Sequence, residues 1–189
     1  MITTSLLLQG ALFFAVLDLI LVPLLLWLIK PQSFRQFKWE LLAVTALFWG
    51  ALWFWVLGSF WETVYCYVFP QWARWPMPFF QAALTSAVAA LAWRLAVRWR
   101  PHPLLLYLLF GGLWGLLSHT FALASGIVTR PPPLQGAAPL SALTIAFFEF
   151  IFYWCIISGI AAAVHALRCW VQHRRRRAGM IGLERGSQP

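Results

Sequence analysis

Acidic residues are nearly missing from this chain: Asp18, Glu40, Glu62, Glu149 and Glu184 are the five in 189 residues, set against fourteen Lys and Arg. Charged residues of both signs make up 10% of the sequence and hydrophobic ones 62%. A soluble domain of this size cannot cover so much apolar surface, so water is excluded as the solvent for most of the chain. Cysteine is equally scarce. Cys66, Cys155 and Cys169 stand far apart with no C-x-x-C pair and no metal-ligand spacing, which leaves out a disulfide framework and a zinc site and makes them small apolar fillers. No H-E-x-x-H, G-x-S-x-G, P-loop or dinucleotide glycine fingerprint is present either, so the chemistries those motifs carry are set aside. Ser118 directly precedes His119, yet neighbouring helical positions point about 100° apart and cannot act as a nucleophile and its base on one face.

What is there is apolar and arranged in runs. Crossing a hydrocarbon core of about 30 Å takes about 20 helical residues, and five segments qualify: residues 5–29, 41–69, 79–97, 103–128 and 139–167. The fold expected is therefore an all-α polytopic integral membrane protein, a bundle of five transmembrane helices forming one domain over residues 1–170. A basic, disordered tail is expected over 171–189. The first run has no basic residues before it, so it reads as a retained helix rather than a cleaved signal. The second run is longer than a span needs, so it should tilt or extend outward. Five unequal spans do not make the paired halves of repeat-built transporters.

The net charge of +9 would suit a nucleic acid only if it formed a stripe on a soluble surface. Here the basic residues cluster between apolar runs, and no nucleic-acid partner is expected. Lys30, Arg35, Lys38, Arg94, Arg98, Arg100, Arg168, Arg174, Arg175, Arg176, Arg177 and Arg185 fall on one side of the bundle, and Arg74 and Arg130 on the other. That division matches the positive-inside rule for an odd number of crossings. It places the N-terminus outside and the C-terminus in the cytoplasm of a cell with a plasma (inner) membrane. Trp61, Tyr65, Trp72 and Trp75 then form an outer interfacial belt.

The polar groups inside the runs carry the functional question, because a carboxylate at mid-membrane costs about 2.5–3.5 kcal/mol. Counting helix rise from the cytoplasmic ends puts Asp18 at roughly 17 Å, His119 and Glu149 at roughly 22 Å, and Glu62 at roughly 29 Å. His119 and Glu149 lie on sequential antiparallel helices, so they are expected to meet. Tyr153, one turn after Glu149, shares its face, and Gly112, Gly115, Ala122 and Gly126 share the face of His119 and let another helix come close.

Three roles fit this constellation. His119 and Glu149 can form a structural interhelical pair. They can be an acid–base couple, with Glu62 or Asp18 as a second carboxylate and Trp53, Trp55 and Tyr153 lining the place of a lipid or isoprenoid. Or the carboxylates and His119 can bind a cation, a proton or a metal. Haem held by two histidines is disfavoured, since His165 sits near the cytoplasmic end of its span and His119 does not; His102 and His165 read as interfacial residues. No metal site and no particular cofactor is implied. The partners expected are membrane lipids and other membrane subunits, around a ligand-binding or packing site, with an intramembrane enzyme as the alternative. The loop Pro131–Pro132–Pro133 is expected to be stiff and extended.

Overall fold

The computed structural model describes residues 2–60, 66–67, 75–98, 102–124, 128–129 and 139–186. The described chain is helical apart from one short strand pairing. Its elements are α1 (Ile2–Leu28), α2 (Pro31–Gln36), α3 (Lys38–Phe60), β1 (Cys66–Tyr67), α4 (Met77–Ala96), α5 (Pro103–Ala124), β2 (Val128–Thr129) and α6 (Pro139–Gly186). Among the described residues four helices are long and apolar enough to cross a membrane, over Leu8–Leu28, Met77–Ala96, Pro103–Phe121 and within Leu143–Arg176. α3 carries Lys38 and Glu40 at its start and is apolar from Leu41 on.

Helix boundaries follow local chemistry. Pro31 and Pro103 open α2 and α5, where a missing N–H is harmless and φ is already helical. Pro23 lies inside α1, which continues through it, as membrane helices tolerate. Two boundaries differ from the apolar runs. α3 ends at Phe60 and Cys66–Tyr67 leave it as a strand, with Cys66 opposite Thr129 and Tyr67 opposite Val128 in antiparallel register. β-branched and aromatic residues past the end of the helix favour that extended form. At the other end of the chain, α6 runs on to Gly186, well past the last residue expected to cross the membrane. Arg, Ala, Leu and Met are good helix formers, and the preceding turns supply the nucleus.

Side-chain pairs fix the helix directions. Gly10 faces Ile145 and Gly159 faces Leu25, with Phe14 against Phe152, so α1 and α6 run parallel. Gly111 faces Trp154 and Gly115 faces Phe150, so α5 runs against α6. α3 runs against both α6 and α4, as shown by Glu40 with His165, Trp49 with Phe150, and Lys38 with Trp93. α6 is the hub, packed on α1 and α5 along its length and on α3 from a third side. The ends of the helices that carry Lys30, Lys38, Arg94, Arg98 and Arg168 lie together and form the basic end of the bundle.

The core sits in the basic half. Phe34, Phe37, Leu41, Leu104, Tyr107, Trp154 and Ile157 are all almost fully buried, and the Tyr107 and Trp154 rings lie 4.4 Å apart between centroids. The short α2 inserts Phe34 and Phe37 under the bundle, and Trp93 Nε1 donates to the Phe34 carbonyl at 3.4 Å. Away from the core the helices present Leu19, Trp27, Leu47, Phe79 and Phe121 outward, each at least two-thirds exposed. Faces so apolar are at rest in lipid and not in water.

Candidate functional site

The closest helix approach brings α5 onto α6. A Cβ at Gly115 would stand 2.5 Å from the Ala146 carbonyl oxygen, and at Gly111 2.5 Å from the Trp154 ring. Gly112 is similarly shut in by Phe147 and Ile151. The small-residue face expected around His119 is thus the packing seam itself. Its register sets His119 level with Ala146 and leaves Glu149 about 4.5 Å nearer the basic end.

His119 turns back on its own helix. Its Nδ1–H donates to the Gly115 carbonyl at 3.0 Å, and the Phe150 ring stands edge-on to the imidazole at 5.5 Å between centroids. Glu149 is likewise served from its own helix: the Tyr153 hydroxyl donates to Oε1 at 2.5 Å. Among the described residues no hydrogen bond or ion pair joins His119 to Glu149. The expected interhelical pair is therefore not formed, although the expected Glu149–Tyr153 face is. The reason is azimuth. α5 lies against Phe147, Phe150, Ile151 and Trp154, and Glu149 is rotated about 100° from Phe150.

That rotation turns Glu149 and Tyr153 toward the side where α1 and α3 flank α6. Tyr153 touches Phe48 at 5.6 Å and Trp49 at 5.8 Å on α3, and Phe152, beside it at 6.0 Å, touches Phe14 on α1. Glu149, Tyr153 and Ile156 are half-buried and Ile160 is exposed, so this strip of α6 floors a groove between α1 and α3 that opens sideways. Trp53 is half-buried on α3, while Trp55 is 58% exposed and faces out. Glu62, Trp61, Tyr65, Trp72, Gly126 and the proline loop lie outside the described residues.

Asp18 does not join Glu149. It is 6% exposed, and neither carboxyl oxygen has a hydrogen-bond partner among the described residues. The α1/α6 contacts at Phe14 and Leu25 put it near the level of Cys155, about 9 Å along α6 from Glu149. Ser158, one turn on from Cys155, is also fully buried, and its hydroxyl has no hydrogen-bond partner among the described residues.

The densest polar cluster is one that was not anticipated. At the basic end Glu40, 7% exposed in the first turn of α3, accepts from His165 Nδ1 at 3.1 Å and pairs with Arg168 Nη1 at 2.9 Å. Cys169 Sγ lies 3.6 Å from His165 Nε2, and Phe37 packs on the imidazole at 5.8 Å between centroids. Burial pushes the Glu40 carboxyl up, but its own backbone N–H, the His165 hydrogen bond and the Arg168 charge together outweigh burial and hold it below the usual carboxylate range. The signal available in the sequence was H-x-x-R-C on α6, three polar residues at i, i+3 and i+4, which share one helical face. Its carboxylate partner lies 125 residues away and nothing local announces it.

Neither the mid-bundle residues nor this cluster forms a group able to hold a metal among the described residues. In the cluster the reason is geometric, since Glu40 and Cys169 approach opposite nitrogens of one ring. No protein family, curated protein or solved structure matches the chain.

Proposed function

We propose that the chain is a five-crossing protein of the plasma (inner) membrane, N-terminus outside and C-terminus cytoplasmic, that binds an apolar ligand of the lipid or isoprenoid class in the groove between α1 and α3. Alternating helix directions support α3 as the fifth crossing, because α3 and α5 run one way and α1, α4 and α6 the other. Basic residues gathered at one end support the orientation.

The observation that carries the binding reading is the Glu149–Tyr153 couple. A carboxyl and a hydroxyl, hydrogen-bonded to each other and half-buried among Phe48, Trp49 and Phe150, form a polar handle in an aromatic, laterally open groove. Ligand sites are built this way, with a few polar groups fixing the head of an otherwise apolar molecule. Packing against another membrane subunit through the same groove is the other use of this face. Acid–base catalysis has less support, because His119 spends Nδ1 on Gly115 and does not stand beside Glu149.

The test is native mass spectrometry of the purified protein with Glu149→Gln and Tyr153→Phe variants. A lipid that co-purifies with the wild type and is lost from both variants supports the groove. Wild-type protein that flies bare, or a lipid retained by both variants, overturns it.

A further inference from the structure

The Glu40–His165–Cys169 line has the connectivity of a nucleophilic relay. Glu40 is held ionised and can only accept, so His165 must donate from Nδ1; in the neutral ring Nε2 is then the acceptor. The Cys169 thiol is the group placed at Nε2. A thiol whose proton has a waiting base, and a base oriented by a buried carboxylate, is the arrangement that activates cysteine for attack on acyl carbon. Glu40 and the imidazole are largely enclosed, whereas Cys169 is exposed, so the nucleophile is open while its support is fixed.

The surroundings select the acyl donor. Cys169 lies where the apolar part of α6 gives way to Arg174, Arg175 and Arg176, all exposed. Arg176 is seven residues on and so returns to the face of Cys169, and Trp170 next to the thiol is 56% exposed and carries Arg174 over its ring at 5.2 Å. A molecule with an apolar chain and an anionic head matches such a border, the chain in lipid and the phosphates on arginine.

We infer that Cys169 is an acyl-acceptor site, modified by long-chain acyl thioesters of the coenzyme A type with His165 as base and Glu40 as its positioning residue. The Cys169 sulfur attacks the thioester carbonyl carbon, forming a new C–S bond while its proton passes to His165 Nε2. The tetrahedral intermediate collapses with cleavage of the old C–S bond. The departing thiolate takes the proton from His165, giving S-acyl Cys169 and a free thiol with no redox change. The inference rests on the proposed orientation only for access to a cytoplasmic donor, and not on the groove.

The experiment is intact-protein mass spectrometry of the full chain in detergent, where both faces are reachable, during incubation with palmitoyl-CoA. Addition of one palmitoyl group, removable by hydroxylamine and absent from Cys169→Ser, is expected. His165→Gln keeps a donor toward Glu40 but has no base; it should slow acylation about 100-fold with an unchanged melting temperature. Glu40→Gln should slow it about 10-fold. A wild type that stays unmodified, acylation mapped to Cys66 or Cys155, or an unaltered rate in His165→Gln would overturn the inference. Labelling of Cys169 by an impermeant maleimide in sealed vesicles of either orientation reports the topology separately.

Discussion

Two histidines in this molecule sit within reach of a neighbouring helix, and only His165 hydrogen-bonds to it. His165 crosses from α6 to α3 and meets a carboxylate 125 residues away in sequence. His119 faces the tightest helix contact in the bundle and still bonds to a carbonyl four residues back on α5. Depth does not separate them, because His119 and Glu149 are within about a turn of each other in height. Rotation about the helix axis does. Where glycine lets two backbones close, aromatic rings fill the seam and polar side chains are left to their own helices; where α3 meets α6 at the basic end, Glu40 and His165 face each other and an interhelical polar link forms. Within a bundle, satisfying a polar group locally is the safer solution, since an unpaired one in an apolar medium costs about 1–3 kcal/mol.

The largest effect expected is at the seam. Gly115→Leu must drive a side chain into the Ala146 carbonyl and Phe150, and backbone cannot yield as a side chain does. The cost should exceed about 3 kcal/mol, seen as loss of the monodisperse peak in size-exclusion chromatography. Gly159→Ala is the control. Its nearest neighbour would be Leu25 Cδ2 at 3.6 Å, so the substitution should be neutral or raise stability by up to about 1 kcal/mol. Equal losses from both would mean that close approach is not what α5 and α6 share.

The next effect sharpens the other half of the comparison. Glu40→Ala removes charged hydrogen bonds worth about 1.5–3 kcal/mol each when buried, discounted here because Arg168 is half exposed; about 2 kcal/mol of thermal stability is expected. Glu40 and His165 should show a double-mutant coupling of about 1 kcal/mol. The pH dependence has a definite sign. Burial opposes ionisation of Glu40, but its hydrogen bonds and the Arg168 charge lower its folded-state pKa. Its contribution is therefore present above the ordinary glutamate value of about 4.3 and is lost as pH falls through the lower folded one. Melting scans of wild type should fall below about pH 4.5 more steeply than those of Glu40→Gln. Parallel curves would remove Glu40 from the account.

Much of this architecture was legible in the sequence for a physical reason: long apolar runs and the clusters of Lys and Arg between them are one-dimensional signals. They placed most helices within a few residues and gave the stripe of glycine on α5. The carboxyl–hydroxyl couple at Glu149 and Tyr153 was readable too, because i and i+4 share a face. What failed needed rotation or distant chain. Depth alone matched His119 to Glu149, and which face of α6 meets α5 is fixed by Phe147, Phe150 and Trp154 jointly, a matter of packing. Glu40 looked like one charge in a basic loop until α3 and α6 were set side by side. The end of α3 was misread because an apolar and aromatic run continues past Phe60 to Phe69, and hydropathy does not tell a helix from the strand at Cys66–Tyr67.

A smaller effect probes the couple itself. Tyr153→Phe deletes one hydroxyl that donates to Glu149 while keeping the ring against Phe48 and Trp49. A loss of about 1 kcal/mol is expected, the typical worth of one such hydrogen bond. A loss of several kcal/mol would show Glu149 sealed in the interior and the groove closed.

The smallest expected effect is the most discriminating. If His119 and Glu149 each answer to their own helix, His119→Ala and Glu149→Gln should add within about 0.5 kcal/mol in thermal melts of the double variant. Each single change carries its own local cost, from the Gly115 carbonyl in one case and the Tyr153 hydroxyl in the other. Additivity would leave Glu40 with His165 as the coupled histidine–carboxylate pair of the two. A coupling above about 1 kcal/mol would mean that the pair forms in the membrane after all. It would then restore the acid–base reading of the bundle's centre, because a proton shared across α5 and α6 is the one thing that the separate hydrogen bonds do not provide.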